Sequence, residues 1–278
     1  MPPNHFLVAT DLTDRAERAL ARALDLLPAA GRLTVPHVVP TGLPPQLASE
    51  QQRSAKAFLV SRLGLAPRQR ASAIQSIVVT GGAFNAIIAE AIARAADLVI
   101  IGNPTTDHYA DLFTGSTAER VIRFSDRPVL MVKHVPREHY QRILVAFDGS
   151  EGAPRAARGI CFGTRRRVPH STRVVAAPHL SWGNRSSKTE IQDENKRLKE
   201  LIVSAAGQAV ASFGTSARVT IDLVENNPYL VIANQCSWAD LLVMGTHSKG
   251  RLASTVSVGK LARHLLVDSS CDVLTSRP

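Results

Sequence analysis

The sequence predicts an α/β chain of two tandem domains, each a five-stranded parallel sheet with helices on both faces. Three observations lead there. The segment Ala96-Asp97-Leu98-Val99-Ile100-Ile101-Gly102 returns 143 residues later as Ala239-Asp240-Leu241-Leu242-Val243-Met244-Gly245. Around it, Leu7-Val8-Ala9-Thr10-Asp11 is echoed by Leu144-Val145-Ala146-Phe147-Asp148, and Pro128-Val129-Leu130 by Asp272-Val273-Leu274, in the same order. Short unbroken apolar runs, the mark of strands covered on both faces, alternate in each copy with longer stretches at helical spacing. Finally, 278 residues suit about two domains. The polar segment around Pro136 joins them, giving domains 1–136 and 139–278.

The elements follow in order. Residues 6–10 form a first strand, and Asp11-Leu12-Thr13-Asp14 offers caps for a helix. Ala16, Leu20, Ala23, Leu24 and Leu27 then recur at helical spacing until Pro28 and Gly31 stop the pattern. Strands are expected at 33–39, 74–79, 98–101 and 129–132, with helices at 46–63, 85–95 and 116–124. The second copy places strands at 143–147, 174–177, 219–224, 241–244 and 273–274, with a long helix at 188–212. A βαβα order implies parallel strands joined by right-handed crossovers.

Composition narrows the function. The formal charge is +10 and the sequence pI about 10.1, which favours anionic ligands. The basic residues are scattered apart from Arg165-Arg166-Arg167, and aromatics make up only 5%, so no stacking platform for single strands is indicated and nucleic acid is not an expected partner. No apolar run reaches the roughly 20 residues of a membrane span, and the first residues lack signal-peptide order; a cytoplasmic protein without a membrane partner is expected. Cys161, Cys236 and Cys271 lack paired spacing, which points to free thiols rather than disulfides or zinc.

In wound sheets, ligands sit beyond the carboxyl ends of the strands where strand order reverses. Asp11 and Asp148 stand at those ends, as do Gly102 and Gly245. In the first copy a loop from Gly102 leads to Gly115-Ser116-Thr117, where backbone N–H groups at a helix start suit phosphate. The same three residues also read as an ordinary helix cap. His37, His179 and His247 lie near the strand ends without a paired carboxylate or cysteine in sequence, and only His247 falls inside a glycine loop.

The strands ending in aspartate, the Ala-Asp-Leu strand closed by glycine, Gly115-Ser116-Thr117-Ala118-Glu119-Arg120-Val121 and Pro128-Val129-Leu130 together resemble the universal stress protein family, over nearly the whole chain and twice. The resemblance implies Rossmann-like domains of the adenine-nucleotide alpha hydrolase-like kind. It further implies a nucleotide site in which Asp11 or Asp148 contacts the base and the glycine loop holds ribose and phosphates. The residues carried over are Asp11, Val39, Gly102, Gly115, Ser116 and Thr117 in the first copy, and Asp148, Gly245, His247, Ser248 and Gly259 in the second. Family members that bind ATP share Gly-x2-Gly-x9-Gly-Ser/Thr. Here Thr105 replaces the second glycine, Ser248 replaces another, and Gly259 stands one residue late if it matches Gly115.

No P-loop, nucleophile elbow or zinc helix occurs, so a dedicated enzyme is not expected. The expectation is a stress protein binding ATP or AMP, with magnesium accompanying it, in one or both domains. The alternative is an interaction protein of the same fold that no longer uses nucleotide. Single-domain relatives resemble dimers joined through their final strands. The two copies are accordingly expected to form an internal pseudo-dimer, with a homodimer of chains as a further option.

Overall fold

The computed structural model describes residues 4–64, 73–104, 115–136, 139–147, 171–176, 218–223, 227–246 and 259–277, together with eight positions between 189 and 204. The chain divides into two compact units, Met1–Arg137 and Glu138–Pro278.

The first unit contains β1 (His5–Val8), α1 (Asp14–Leu26), β2 (Arg32–Val39), α2 (Pro45–Leu63), β3 (Ile74–Thr80), α3 (Ala83–Ala93), β4 (Leu98–Gly102), α4 (Thr117–Phe124) and β5 (Val129–Val132). Its strands run in the order β3-β2-β1-β4-β5, and every pairing is parallel. The chain therefore moves outward from β1 through β2 to β3, then returns to β4 on the other side. Strand order reverses between β1 and β4, and their carboxyl ends flank a crevice. Along these two strands Phe6, Leu7, Val8, Leu98 and Ile100 are wholly buried, as their unbroken apolar runs require.

The helices pack by their apolar faces. α1 buries Ala16, Ala19, Ala23 and Leu26 and lies on β1, β4 and β5. α2 opens on Pro45 and buries little beyond Ala55 and Leu59 against β2 and β3. α3 begins two residues before the expected start and ends by an unexpected device. Ala95 adopts φ +50, and the Ala96 N–H reaches back to the Ala91 carbonyl at 2.9 Å. This is a helix stop normally given to glycine.

The second unit contains β6 (Arg142–Phe147), β7 (Ser171–Ala176), β8 (Arg218–Leu223), α5 (Pro228–Cys236), β9 (Leu241–Gly245), α6 (Lys260–Asp268) and β10 (Asp272–Ser276). Its order, β10-β9-β6-β7-β8, repeats that of the first unit. Of the long helix expected over 188–212, the described positions Thr189, Gln192, Asp193, Lys196, Arg197, Lys199, Glu200 and Ser204 are helical and exposed; the rest lies outside the described residues.

The repeated Ala-Asp-Leu motif has one structural job in both units. Asp97 Oδ2 accepts the N–H groups of Asn4 and His5 at 2.7 and 2.9 Å. Asp240 Oδ2 accepts those of Gln141 and Arg142 at 3.0 and 2.9 Å. Each aspartate thus ties the start of the central strand to its neighbour, at the sheet end opposite the crevice.

Candidate functional site

The crevice is assembled at the point where β1 separates from β2. The ladder ends at Leu7↔Thr34. Pro36, two residues on, has no N–H to offer, although its carbonyl still accepts from Thr10 at 3.0 Å. In a parallel strand one residue's N–H and C=O face the same neighbour, so the missing donor lies on the β1 side. What remains is an isolated Thr10↔His37 bridge, with His37 Nδ1 3.0 Å from the Thr10 carbonyl. On the other side the Ala9 N–H donates to Ile100 O at 3.1 Å.

The chain then turns sharply into α1. Thr10 Oγ1 accepts the Leu12 N–H at 3.0 Å, and Asp11 Oδ1 accepts both the N–H and the hydroxyl of Thr13, at 3.1 and 2.5 Å. Leu12 sits at φ +66 between them. A branched side chain adopts that conformation at a cost, and here local side-chain bonds hold it in place.

A cavity of about 350 Å³ opens beyond these strand ends. It is lined by Ala9, Thr10 and Asp11 after β1, by Pro36, His37 and Val38 of β2, and by Ile101, Gly102, Asn103 and Pro104 at the end of β4. Arg15 and Ala16 of α1, Ala83 and Ile87 of α3, and Ser116, Thr117 and Ala118 at the start of α4 complete it. Its size lies in the range of small-molecule sites, and its mix of apolar wall and few polar groups is typical of them.

The α4 start supplies the donors. Ser116 caps the helix by accepting the Glu119 N–H at 3.1 Å, and the Glu119 carboxylate accepts the Gly115 N–H at 2.6 Å. The arrangement is a capping box whose return bond lands on Gly115, at φ +88, rather than on the cap residue. Glu119 is only 2% exposed. The first intrahelical bond runs from the Arg120 N–H to Ser116 O at 3.0 Å, so the N–H groups of Thr117 and Ala118 have no helical acceptor. Both residues line the cavity at the positive end of the helix dipole, an arrangement that attracts anions.

Of the residues picked out in sequence, Asp11, Gly102, Ser116 and Thr117 meet in this one cavity. Gly115 stands just behind it, its N–H committed to Glu119. Val39 does not line it: the side chain is fully buried and its carbonyl accepts the Gly81 N–H at 3.0 Å. In the second unit, Gly245 ends β9 and Gly259 is the cap of α6 at φ −56, ψ 151, close to the φ −61, ψ 155 of Ser116. Gly259 thus matches Ser116, and Val258 falls where Gly115 would be. The second helix consequently lacks the capping hydroxyl, and Ala262 takes the place of Glu119. Asp148, His247 and Ser248, like Thr105 of the first loop, lie outside the described residues.

Sequence reasoning passed over Arg15 and Asn103 and discounted His37. The available signals were that Arg15 stands in the first turn of α1, four residues after the strand-end aspartate, and that Asn103 follows the strand-end glycine directly.

Two units of one topology, each a parallel sheet with its strand order reversing at the central pair, define the class as tandem Rossmann-like α/β proteins. The chain belongs to the universal stress protein family, whose model matches residues 3–133 and again 139–277. The crystal structure of a universal stress protein from Archaeoglobus fulgidus DSM 4304 is similar over 100% of this chain and 99% of that one, at TM-score 0.70 and 18% identity. A functionally unknown protein from Pseudomonas aeruginosa PAO1 is similar over 99% and 93%, at TM-score 0.64 and 17% identity. At these identities the likeness speaks for the fold. No curated protein sequence matches the chain. Among the described residues, no helix is long and apolar enough to cross a membrane.

Proposed function

We propose that the first unit binds an adenine nucleotide, ATP or AMP, in the crevice between β1, β4 and α4, as a stress protein that responds to nucleotide without turning it over. One observation carries the reading: Asp11, Gly102, Thr117 and Ala118 line a single cavity of about 350 Å³, the last two opening α4 with N–H groups that have no helical acceptor. The residues suit the ligand. Asp11 keeps Oδ2 for a donor such as an adenine amine, the walls at Val38, Ile87 and Ile101 suit a base, and Thr117 and Ala118 suit phosphate. Asp11 is the one carboxylate among the described lining residues, so magnesium accompanying ATP would rest mainly on phosphate oxygens and water.

A calorimetric titration of the full chain with ATP and with AMP tests this. Saturable binding that weakens at least about tenfold in Asp11→Ala supports it, since a charge-assisted hydrogen bond is worth that much. A chain that takes up neither nucleotide rejects it. A second reading, an interaction protein of the same fold independent of nucleotide, is favoured by one observation. The Glu119 carboxyl group occupies the Gly115 N–H, which leaves one donor fewer for a phosphate at this loop.

A further inference from the structure

We infer that Arg15 recognises the phosphate of the bound nucleotide, so that the site selects a 5′-phosphorylated adenosine over adenosine itself. The inference rests on the nucleotide reading of the cavity given above.

Arg15 is the one Lys or Arg among the described residues that line the cavity. It is half-buried in the first turn of α1, and among the described residues it has no hydrogen bond or ion pair. The other arginines of that helix are committed. Arg18 donates to the Lys133 carbonyl at 3.4 Å, and Arg22 pairs with Asp25 at 3.2 Å. Of the nearby acids, Glu17 holds the Arg62 guanidinium and Asp11 holds Thr13 through Oδ1 while Oδ2 stays open; neither forms an ion pair with Arg15.

Its position gives no helical reason for a cation. A positive charge in the first turn opposes the helix dipole, which favours acids there. The backbone beneath it is held in place, because the Arg15 carbonyl lies against Gly102 with no room for a side chain between them. The cavity therefore combines a guanidinium that has no ion pair among the described residues with the amino-terminal end of α4. Both suit an anion. A guanidinium fork matches two phosphate oxygens at once, which a neutral nucleoside cannot offer.

The test compares AMP with adenosine by calorimetry on the full chain and on Arg15→Gln and Arg15→Lys, with unfolding midpoints measured for each. The unmodified chain should prefer AMP. In Arg15→Gln the AMP affinity should fall by on the order of tenfold to a hundredfold while adenosine binding stays the same, collapsing the preference. Arg15→Lys, which keeps the charge but loses the fork, should fall between, and it decides the matter if Arg15→Gln does not fold. An unchanged AMP-to-adenosine ratio in these variants overturns the role of Arg15 while leaving the nucleotide site standing. Failure of the unmodified chain to bind either compound overturns the site and this inference together.

Discussion

A Cβ placed on Gly102 would stand 2.9 Å from the Arg15 carbonyl oxygen and 3.0 Å from its carbonyl carbon. Both atoms belong to the α1 backbone, so neither can swing aside. The glycine that closes β4 therefore serves helix packing as well as any ligand, and the substitution Gly102→Ala should destabilise the chain by about 1–3 kcal/mol, the usual cost of overpacking. Denaturant unfolding without nucleotide measures it; an unchanged midpoint would show that the strand end and α1 separate easily.

The helix stop at Ala95 makes the opposite prediction. Its φ of +50 is a conformation glycine adopts freely, while the neighbouring bond from Ala96 to Ala91 is already in place. Ala95→Gly should raise stability by about 0.5–1 kcal/mol, the relief of strain exceeding the added entropy of the unfolded chain. Thermal or denaturant unfolding checks the sign.

The capping box at α4 should matter even in the absence of ligand. Ser116→Ala removes the acceptor for the Glu119 N–H and should cost about 1 kcal/mol. Glu119→Ala leaves the Gly115 N–H without its partner and opens space at a buried position, and should cost more, about 2–3 kcal/mol. Equal losses in the two variants would mean that the return bond contributes nothing.

His5 gives the first unit a pH response. Its ring is buried, with Nδ1 2.9 Å from the Arg94 carbonyl and Nε2 2.8 Å from Thr34 Oγ1. Burial, the strongest influence, pushes its pKa below the ordinary value of 6.5, aided by the charges of Arg32 and Arg94 and opposed by the Arg94 carbonyl and Asp97. The unfolded chain then binds a proton more readily than the folded one. Stability held above about pH 6.5 should decline as pH falls from there to the lowered folded value, and level off below it. In His5→Gln this decline should be absent, so the difference between variant and parent narrows as pH drops. Unfolding free energies measured in steps from pH 8 to 5 give the comparison.

The sequence displays much of this fold because buried parallel strands leave unbroken apolar runs and the duplication shows them twice. Leu98–Gly102 and Leu241–Gly245 could be read directly. The role of Asp97 and Asp240 could not, since their place before a strand sets them at its amino end without revealing which N–H groups they accept from. Val39 was chosen by resemblance alone, and its side chain points into the core rather than the cavity. Arg15 was missed because its significance depends on which acids are already paired, a property of the folded surface and not of spacing. The match of Gly259 to Ser116 likewise required backbone angles to fix the register.

The most direct test of the nucleotide site is the amide NMR spectrum of the full chain titrated with AMP. The N–H resonances of Thr117 and Ala118 should move to saturation together with those around Asp11, as phosphate engages the start of α4 and the base reaches the end of β1. Shifts confined to the second unit, or none at saturating AMP, would contradict it.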